Sequence, residues 1–318
     1  MKRPIGKIMV TGALGQIGTE LTVALRARYG EENVIATDCR PQASRNLRDS
    51  GPFHTVDVMD IDALDGVIRQ HNIDTVFHLA ALLSATGEQK PQLCWRVNMD
   101  GTFNVLELGV RHQMARIIIP SSIAVWGKGV PLENTPQETI LKPATMYGIT
   151  KVCGELLGNY YVNHFGLDVR GLRYPGIISY QAPPGGGTTD YAVAIFHDAV
   201  EKGSYACFVR EDTVLPMMYM PDAIRGTLQL AEADFSRLRH HTDFNIAAMS
   251  FSAGELARAI RRHLPHFKIS YEPDYHQAIA DSWPRSIDDS AAREEWGWKP
   301  EWDLASMTRD MLEHLKKK

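Results

Sequence analysis

In the run "MYGITK", Tyr147 and Lys151 stand four residues apart, a spacing that puts both on one face of a helix. On a protein surface such a pair is commonplace. Beside a bound, positively charged ring it becomes a base. A phenol loses its proton only near pH ~10. An ammonium and a cationic ring both favour the phenolate, so the pair could take up a proton near neutral pH. A hydroxyl is then needed to hold the substrate oxygen. The β-branched run "ARIIIPSS" ends in Ser121 and Ser122. Serines in such places usually cap or turn the chain; Ser122 gains a catalytic reading only jointly with Tyr147 and Lys151.

A source for the cationic ring is written into "MVTGALGQIG". Gly12, Gly15 and Gly18 have the spacing G-x-x-G-x-x-G between an apolar run and a helix-like one. The first glycine permits a tight turn, the second lets a pyrophosphate approach the main chain, and the third allows close helix–strand packing. The helix start adds free N–H groups and a partial positive charge. Asp38 follows 20 residues after Gly18. There a carboxylate can accept from both ribose hydroxyls of an adenosine and repel a 2′-phosphate, which favours NAD over NADP; the alternative is a helix cap. Arg40 blurs that preference, because a guanidinium could attract the 2′-phosphate. Asp57 and Val58 close the third strand and could flank the adenine, although a turn aspartate is an equal reading on residue type.

These groups need a scaffold. Strands are expected at Lys7–Gly12, Asn33–Asp38, Asp74–Ala80, Ala115–Ser122 and Leu167–Tyr174. Helices are expected at Gln16–Arg28, Asp60–His71, Gln92–His112 and Tyr147–Phe165. Such alternation implies βαβ units and a parallel sheet, and strands apolar on both faces imply helices on both sides. The expectation is an α/β, doubly wound parallel sheet (a Rossmann fold) over residues 1–175, with a smaller substrate-binding lobe over 176–318 interleaved with it. Tyr180–Ala192, with two prolines and three consecutive glycines, reads as a long irregular loop, a feature usually functional or disordered.

Composition narrows the classes. Lys plus Arg is 34 and Asp plus Glu 38, a net charge of −4, which argues against a nucleic-acid binder. Cys39, Cys94, Cys153 and Cys207 lie far apart, so neither a cysteine zinc site nor a disulfide framework is expected. "MKRPIGKIMV" lacks the long apolar stretch of a secretory signal, and no apolar run reaches the ~18 residues of a membrane span. A cytoplasmic protein without membrane partners is the expectation.

The combination resembles the extended short-chain dehydrogenase/reductase family over nearly the full length. The resemblance rests on "TGALGQIG", Asp38, "DV" at 57–58, "HLAA" at 78–81, Asn98, "SS" at 121–122, "YGITK" at 147–151, "YMPDAIRG" at 219–226 and "WGWKP" at 296–300. Within it, "ALLSATGE" (Ala81–Glu88) and "RYPGIISYQAPPGGGTTDYAVAIF" (Arg173–Phe196) resemble the short-chain-type L-threonine 3-dehydrogenases. Sugar-nucleotide epimerases and dehydratases of the family usually carry Arg-Tyr-Phe-Asn, whose Asn meets the sugar nucleotide; here Arg173-Tyr174-Pro175-Gly176 stands instead. Trp126 before Gly127 replaces a Tyr found in many relatives.

The resemblance implies NAD as cofactor. It also implies cofactor contacts from Gln16, Ile17, Leu79, Ala80, Asn98, Ser121 and Ile177 beside Gly12, Gly15, Gly18, Asp38, Arg40, Asp57 and Val58. Ser122 and Tyr147 would hold threonine's hydroxyl, Tyr147 would take its proton as hydride leaves, and Lys151 would hold the nicotinamide ribose. Asn98 would hold a helix kink and a relay water. No metal is implied. A free amino acid also needs partners for its charges; the candidates are Ser84, Thr188 and Trp283 with the N–H groups of Gly186 and Gly187, and more weakly Tyr191 and Gln181. Trp283 is equally readable as a core tryptophan. The 12 histidines, His78 included, are read as structural. A homodimer formed through the helices around 92–112 and 147–165 is implied by resemblance. Two other readings remain: a sugar-nucleotide epimerase or dehydratase on this fold, and a non-catalytic NAD-binding module.

Overall fold

In the computed structural model, which describes residues 4–41, 45–181 and 185–317, a six-stranded parallel sheet forms the centre. Its order is β3 (Phe53–Thr55), β2 (Val34–Asp38), β1 (Ile8–Thr11), β4 (Thr75–His78), β5 (Arg116–Ile118), β7 (Val169–Arg170). β1 pairs with both β2 and β4. The chain therefore winds outward in both directions from β1, and a crevice opens beyond the carboxyl ends of β1 and β4, where ligands bind in such sheets. Ile8, Met9 and Val10 are fully buried because helices cover both faces. Helix Gln16–Tyr29 lies on one side; Ile61–His71, Gly101–Arg111 and Met146–Phe165 lie on the other.

The run read as one strand, Ala115–Ser122, is two. Pro120 has no N–H to give a ladder, and after β5 the chain leaves the main sheet, so that β6 (Ser121–Ser122) joins a second sheet with β8 (Leu172–Tyr174) and β12 (Phe244–Asn245). Leu167–Tyr174 divides likewise into β7 and β8 at Gly171, whose N–H goes to His241 O at 2.8 Å. The run Gln92–His112 is interrupted: α-helix Pro91–Trp95 passes through a π-helical turn, Arg96–Asp100, into α-helix Gly101–Arg111.

Beyond residue 175, β9 (Gly176–Ile178) pairs with β11 (Val214–Tyr219), which pairs with β13 (Met249–Ser252), and β10 (Ser204–Cys207) pairs with β14 (Lys268–Tyr271). These strands cover a separate apolar cluster that includes Phe196, Met217, Phe251 and Met311. The second half also returns to the first: helix Met220–Glu232 packs on helix Gln16–Tyr29, and Ile224, Phe244 and Trp298 share a cluster with Ile8 and Leu25. Of the Tyr180–Ala192 segment, 182–184 lie outside the described residues, and Tyr191 and Ala192 open helix Tyr191–Glu201 rather than closing a loop. No helix among the described residues is long and apolar enough to cross a membrane.

Candidate active site

Helix Met146–Phe165 starts where it does because Thr145 caps it, its hydroxyl accepting from Gly148 N–H at 3.0 Å. Tyr147 and Lys151 therefore occupy its first two turns, on the face turned to the crevice. The Lys151 ammonium donates to Pro120 O at 2.7 Å and lies 5.5 Å from the Tyr147 ring centre. Ser122 lies beside the Tyr147 phenol and favours its ionised form, and its hydroxyl accepts from Ala124 N–H at 3.2 Å. The capping reading of Ser122 holds, and the same residue stands beside Tyr147 on the cleft wall. Among the chain's own groups, burial pushes the Tyr147 phenol up to about 12 and the Lys151 ammonium down to about 8. Desolvation outweighs the stabilisation that neighbouring groups supply, so the chain's own groups do not make Tyr147 acidic.

The three residues open onto a cleft of about 220 Å³. Gly12, Gly15, Gln16, Ile17 and Gly18 line it; so do Leu79, Ser121 and Ile177; so do Ser84, Gly187, Thr188 and Trp283. Trp283 lines the cleft and also packs in the C-terminal apolar cluster, as the core reading expected. Thr188 is 1 % exposed and its hydroxyl is unpartnered. The amides of Gly186 and Gly187 are not free, however: both donate to the Asp190 carboxylate, at 2.6 and 2.8 Å. Gln181 turns away to Glu20 at 3.1 Å, and Tyr191 is buried in the core, so neither reaches the cleft.

A family model described as the NAD dependent epimerase/dehydratase family matches residues 8–247. The chain belongs to that family. A curated Staphylococcus haemolyticus protein described as an uncharacterized epimerase/dehydratase is 47% identical over 313 residues, covering 98% of each chain. The L-threonine dehydrogenase structure from Clostridium difficile is 48% identical, covers 99% of each chain and superposes with a TM-score of 0.96. A structure described as a monomeric L-threonine 3-dehydrogenase from a metagenome is 49% identical, covers 98% of this chain and 99% of its own, and has a TM-score of 0.94.

NAD is the cofactor of this epimerase/dehydratase family member, and the glycine loop fits it. Gly12 has φ +67°, and a Cβ there would lie 2.6 Å from Ala80 N. Gly18 packs so closely that a Cβ would run into Gly12 O and lie 2.9 Å from Ala13 Cα. The loop thus presents bare main chain at the start of helix Gln16–Tyr29, whose N-cap Gly15 offers no side-chain acceptor. The buried Gln16 side-chain amide is also unpartnered on the cleft wall. Asp38, 5 % exposed at the end of β2, accepts from Leu14 N–H at 3.0 Å. Burial raises its carboxyl, but hydrogen bonds from Arg40 and Leu14 outweigh that and hold it below the ordinary range. Arg40 is spent on this pair, its Nε 3.0 Å from Asp38.

Six residues expected at the cofactor do not line the cleft: Asp38 and Arg40, paired with each other, and Asp57, Val58, Ala80 and Asn98. Asp57 and Val58 lie beyond β3: Asp57 accepts from Met59 N–H at 2.9 Å, the turn aspartate of the alternative reading, and Val58 is core. Ala80 and Asn98 line a second, small cavity behind Lys151. Asn98 sits inside the π turn and ties three segments together. Its amide nitrogen donates to Leu82 O at 3.1 Å and Thr150 Oγ1 at 3.0 Å, and its oxygen accepts from Leu82 N–H at 2.8 Å. The expected kink is thus a π turn held by Asn98.

Two ionisable residues outside the expected site set, His78 and Asp190, also border the cleft. His78 lines the cleft, with Nδ1 2.8 Å from Thr11 Oγ1 and Nε2 unpartnered; burial lowers its pKa to about 3, so it is neutral. Asp190, three residues after Gly187, also lines the cleft. An acid just downstream of a glycine triplet was the signal available for it.

Proposed function

We propose that this enzyme oxidises the 3-hydroxyl of L-threonine to 2-amino-3-oxobutanoate by Tyr147, Lys151 and Ser122 chemistry. One observation carries the reading: the Ser122–Tyr147–Lys151 group opens into a cleft that Ser84, Gly187, Thr188 and Trp283 also line. Resemblance to threonine dehydrogenase structures at about half identity supports it. The glycine loop and the start of helix Gln16–Tyr29 would hold the pyrophosphate, Asp38 the adenosine ribose, and Lys151 the nicotinamide ribose.

NAD, when bound, supplies the hydride acceptor and a positive charge beside the phenol. Ser122 and Tyr147 hold the substrate hydroxyl, Tyr147 accepts its proton, and the carbon bearing it gives up hydride, so one alcohol becomes one ketone with a proton and a hydride removed. Thr188, whose buried hydroxyl lacks a partner, meets a charged end of the amino acid. Asp190 has two roles open to it: it competes with the substrate carboxylate for the amides of Gly186 and Gly187, or it receives the substrate ammonium. Mixing protein, NAD and L-threonine is expected to raise absorbance at the NADH band. No rise with threonine, together with turnover of another alcohol, would reject the substrate. NAD retained through purification with no net NADH release would favour an epimerase or dehydratase instead.

We further propose a homodimer. Trp95, Phe103, Leu156 and Tyr160 are large, apolar and exposed on the two neighbouring helical runs, a grouping unusual on a solitary surface. The metagenome structure described as monomeric makes the measurement decisive. Light scattering behind size exclusion is expected to give twice 35.6 kDa, and a single 35.6 kDa species would remove the proposal.

A further inference from the structure

One buried charge cluster beside the base has no part in the steps above. Glu155 follows Lys151 by one helical turn and is 4 % exposed; Arg173, on β8, is 3 % exposed. Arg173 Nε and Nη2 fork onto the Glu155 carboxylate at 2.9 and 2.8 Å. A buried ion pair costs so much desolvation that apolar residues of similar volume commonly serve stability as well or better. Its placement here points to another use. Ser121 donates to the same carboxylate at 2.5 Å, and Ser121 precedes Ser122 on β6. Lys151 and Glu155 also face one small cavity of about 20 Å³, room for a single water.

We propose that Glu155 is a positioning residue for the base: its carboxylate keeps the Lys151 ammonium charged and, through Ser121, fixes the strand that presents Ser122. The inference rests on the Tyr147–Lys151 chemistry proposed above. The groups facing Lys151 are Tyr147 and Glu155 from its own helix, Cys94 from helix Pro91–Trp95 and His78 from β4. His78 is neutral, burial pushes the Cys94 thiol up, and the Tyr147 phenol is protonated. Glu155 is therefore the anion among the described residues that faces Lys151. Arg173 and Asp243, 3.8 Å apart, face Glu155 from behind. Burial pushes the Glu155 carboxyl up; the forked contact from Arg173 and the Ser121 hydroxyl oppose that and favour the carboxylate, while Arg173 keeps further acceptors at Gln137 O and Asn245 Oδ1, both at 3.1 Å.

Removing the Glu155 charge disfavours the ammonium, so Lys151 loses its proton at lower pH. A neutral lysine stabilises the phenolate less, so Tyr147 ionises at higher pH. In cofactor-free protein labelled with ε-¹³C lysine, with Lys151 assigned by its loss in Lys151→Arg, Glu155→Gln is expected to lower the Lys151 titration midpoint by about one unit. With NAD and threonine, the acid limb of kcat is expected to move up by about one pH unit, with a roughly tenfold loss at pH ~7 and KM changed less than about threefold. Glu155→Asp, which keeps the charge, is expected to return both readouts toward wild type. Should Glu155→Gln not fold, Glu155→Gln/Arg173→Gln leaves no unpaired charge in the pair and is expected to move the midpoint in the same direction by a smaller amount, because the positive partner is removed with the negative one. An unmoved midpoint, or an unmoved acid limb, in a folded variant overturns the proposal. A shifted midpoint in a protein that does not oxidise threonine overturns the substrate reading alone.

Discussion

Tyr147→Phe is expected to lose about 10³-fold in kcat with L-threonine while binding NADH within about twofold of wild type. Positioned general acid–base groups contribute roughly 10²–10⁴-fold. The substitution removes one oxygen and keeps the ring, so cleft walls and glycine loop are unchanged. The lost atom is the proton acceptor and the neighbour of Ser122. Because burial holds that phenol at about 12, the wild-type rate should climb with pH through the neutral range, as the small phenolate population grows. Steady-state rates, with NADH binding followed by fluorescence, check both halves. Turnover within tenfold of wild type would take the phenol out of the reaction.

Gly18→Val is expected to weaken NADH binding by about 100-fold or more and to lower the melting temperature. Gly18 is buried in the first turn of helix Gln16–Tyr29, and any Cβ meets main chain, at Gly12 O and Ala13 Cα. Main chain cannot rotate aside as a side-chain tip can, so the glycine turn itself must move. Overpacking of this kind costs about 1–3 kcal/mol, and the displaced atoms are the N–H groups meant for a pyrophosphate. Gly66→Ala is the contrast: nothing lies within 4 Å of its Cβ position, so it is expected to stabilise helix Ile61–His71 by about 0.5–1 kcal/mol. Binding unchanged in Gly18→Val would place the cofactor elsewhere.

Much of the cofactor half was legible because its determinants are local. The glycine spacing, the strand before it and the acid at Asp38 all lie within 40 residues, and each is tied to a backbone requirement. The Tyr147–Lys151 spacing states its own geometry once a helix is assumed. The failures occur where the outcome depends on distant partners. The break at Pro120 could be suspected from a missing N–H, but β6 joining β8 and β12 could not, since those partners come 50 and 120 residues later. The π turn at 96–100 has no signature of its own; it is held by Asn98 reaching Leu82 and Thr150. The upward push that burial gives the Tyr147 phenol was not legible for a related reason. Neighbouring charge can be guessed from spacing, but the depth of burial that opposes it cannot. The amides of Gly186 and Gly187 were read as open donors because nothing in the residue types announces that Asp190 turns back onto them.

The cluster joining Ile8, Val10, Leu21 and Leu25 to Met218, Ile224, Phe244 and Trp298 governs the birth of the molecule. One side of the nucleotide-binding sheet is roofed by residues that leave the ribosome some 200 positions later. Until then its inner helix has no cover, and greasy surface stays open to passing chains. The early half therefore cannot mature while the ribosome still holds the late one, and a message truncated near codon 200 would yield a sticky fragment rather than a small cofactor-binding protein.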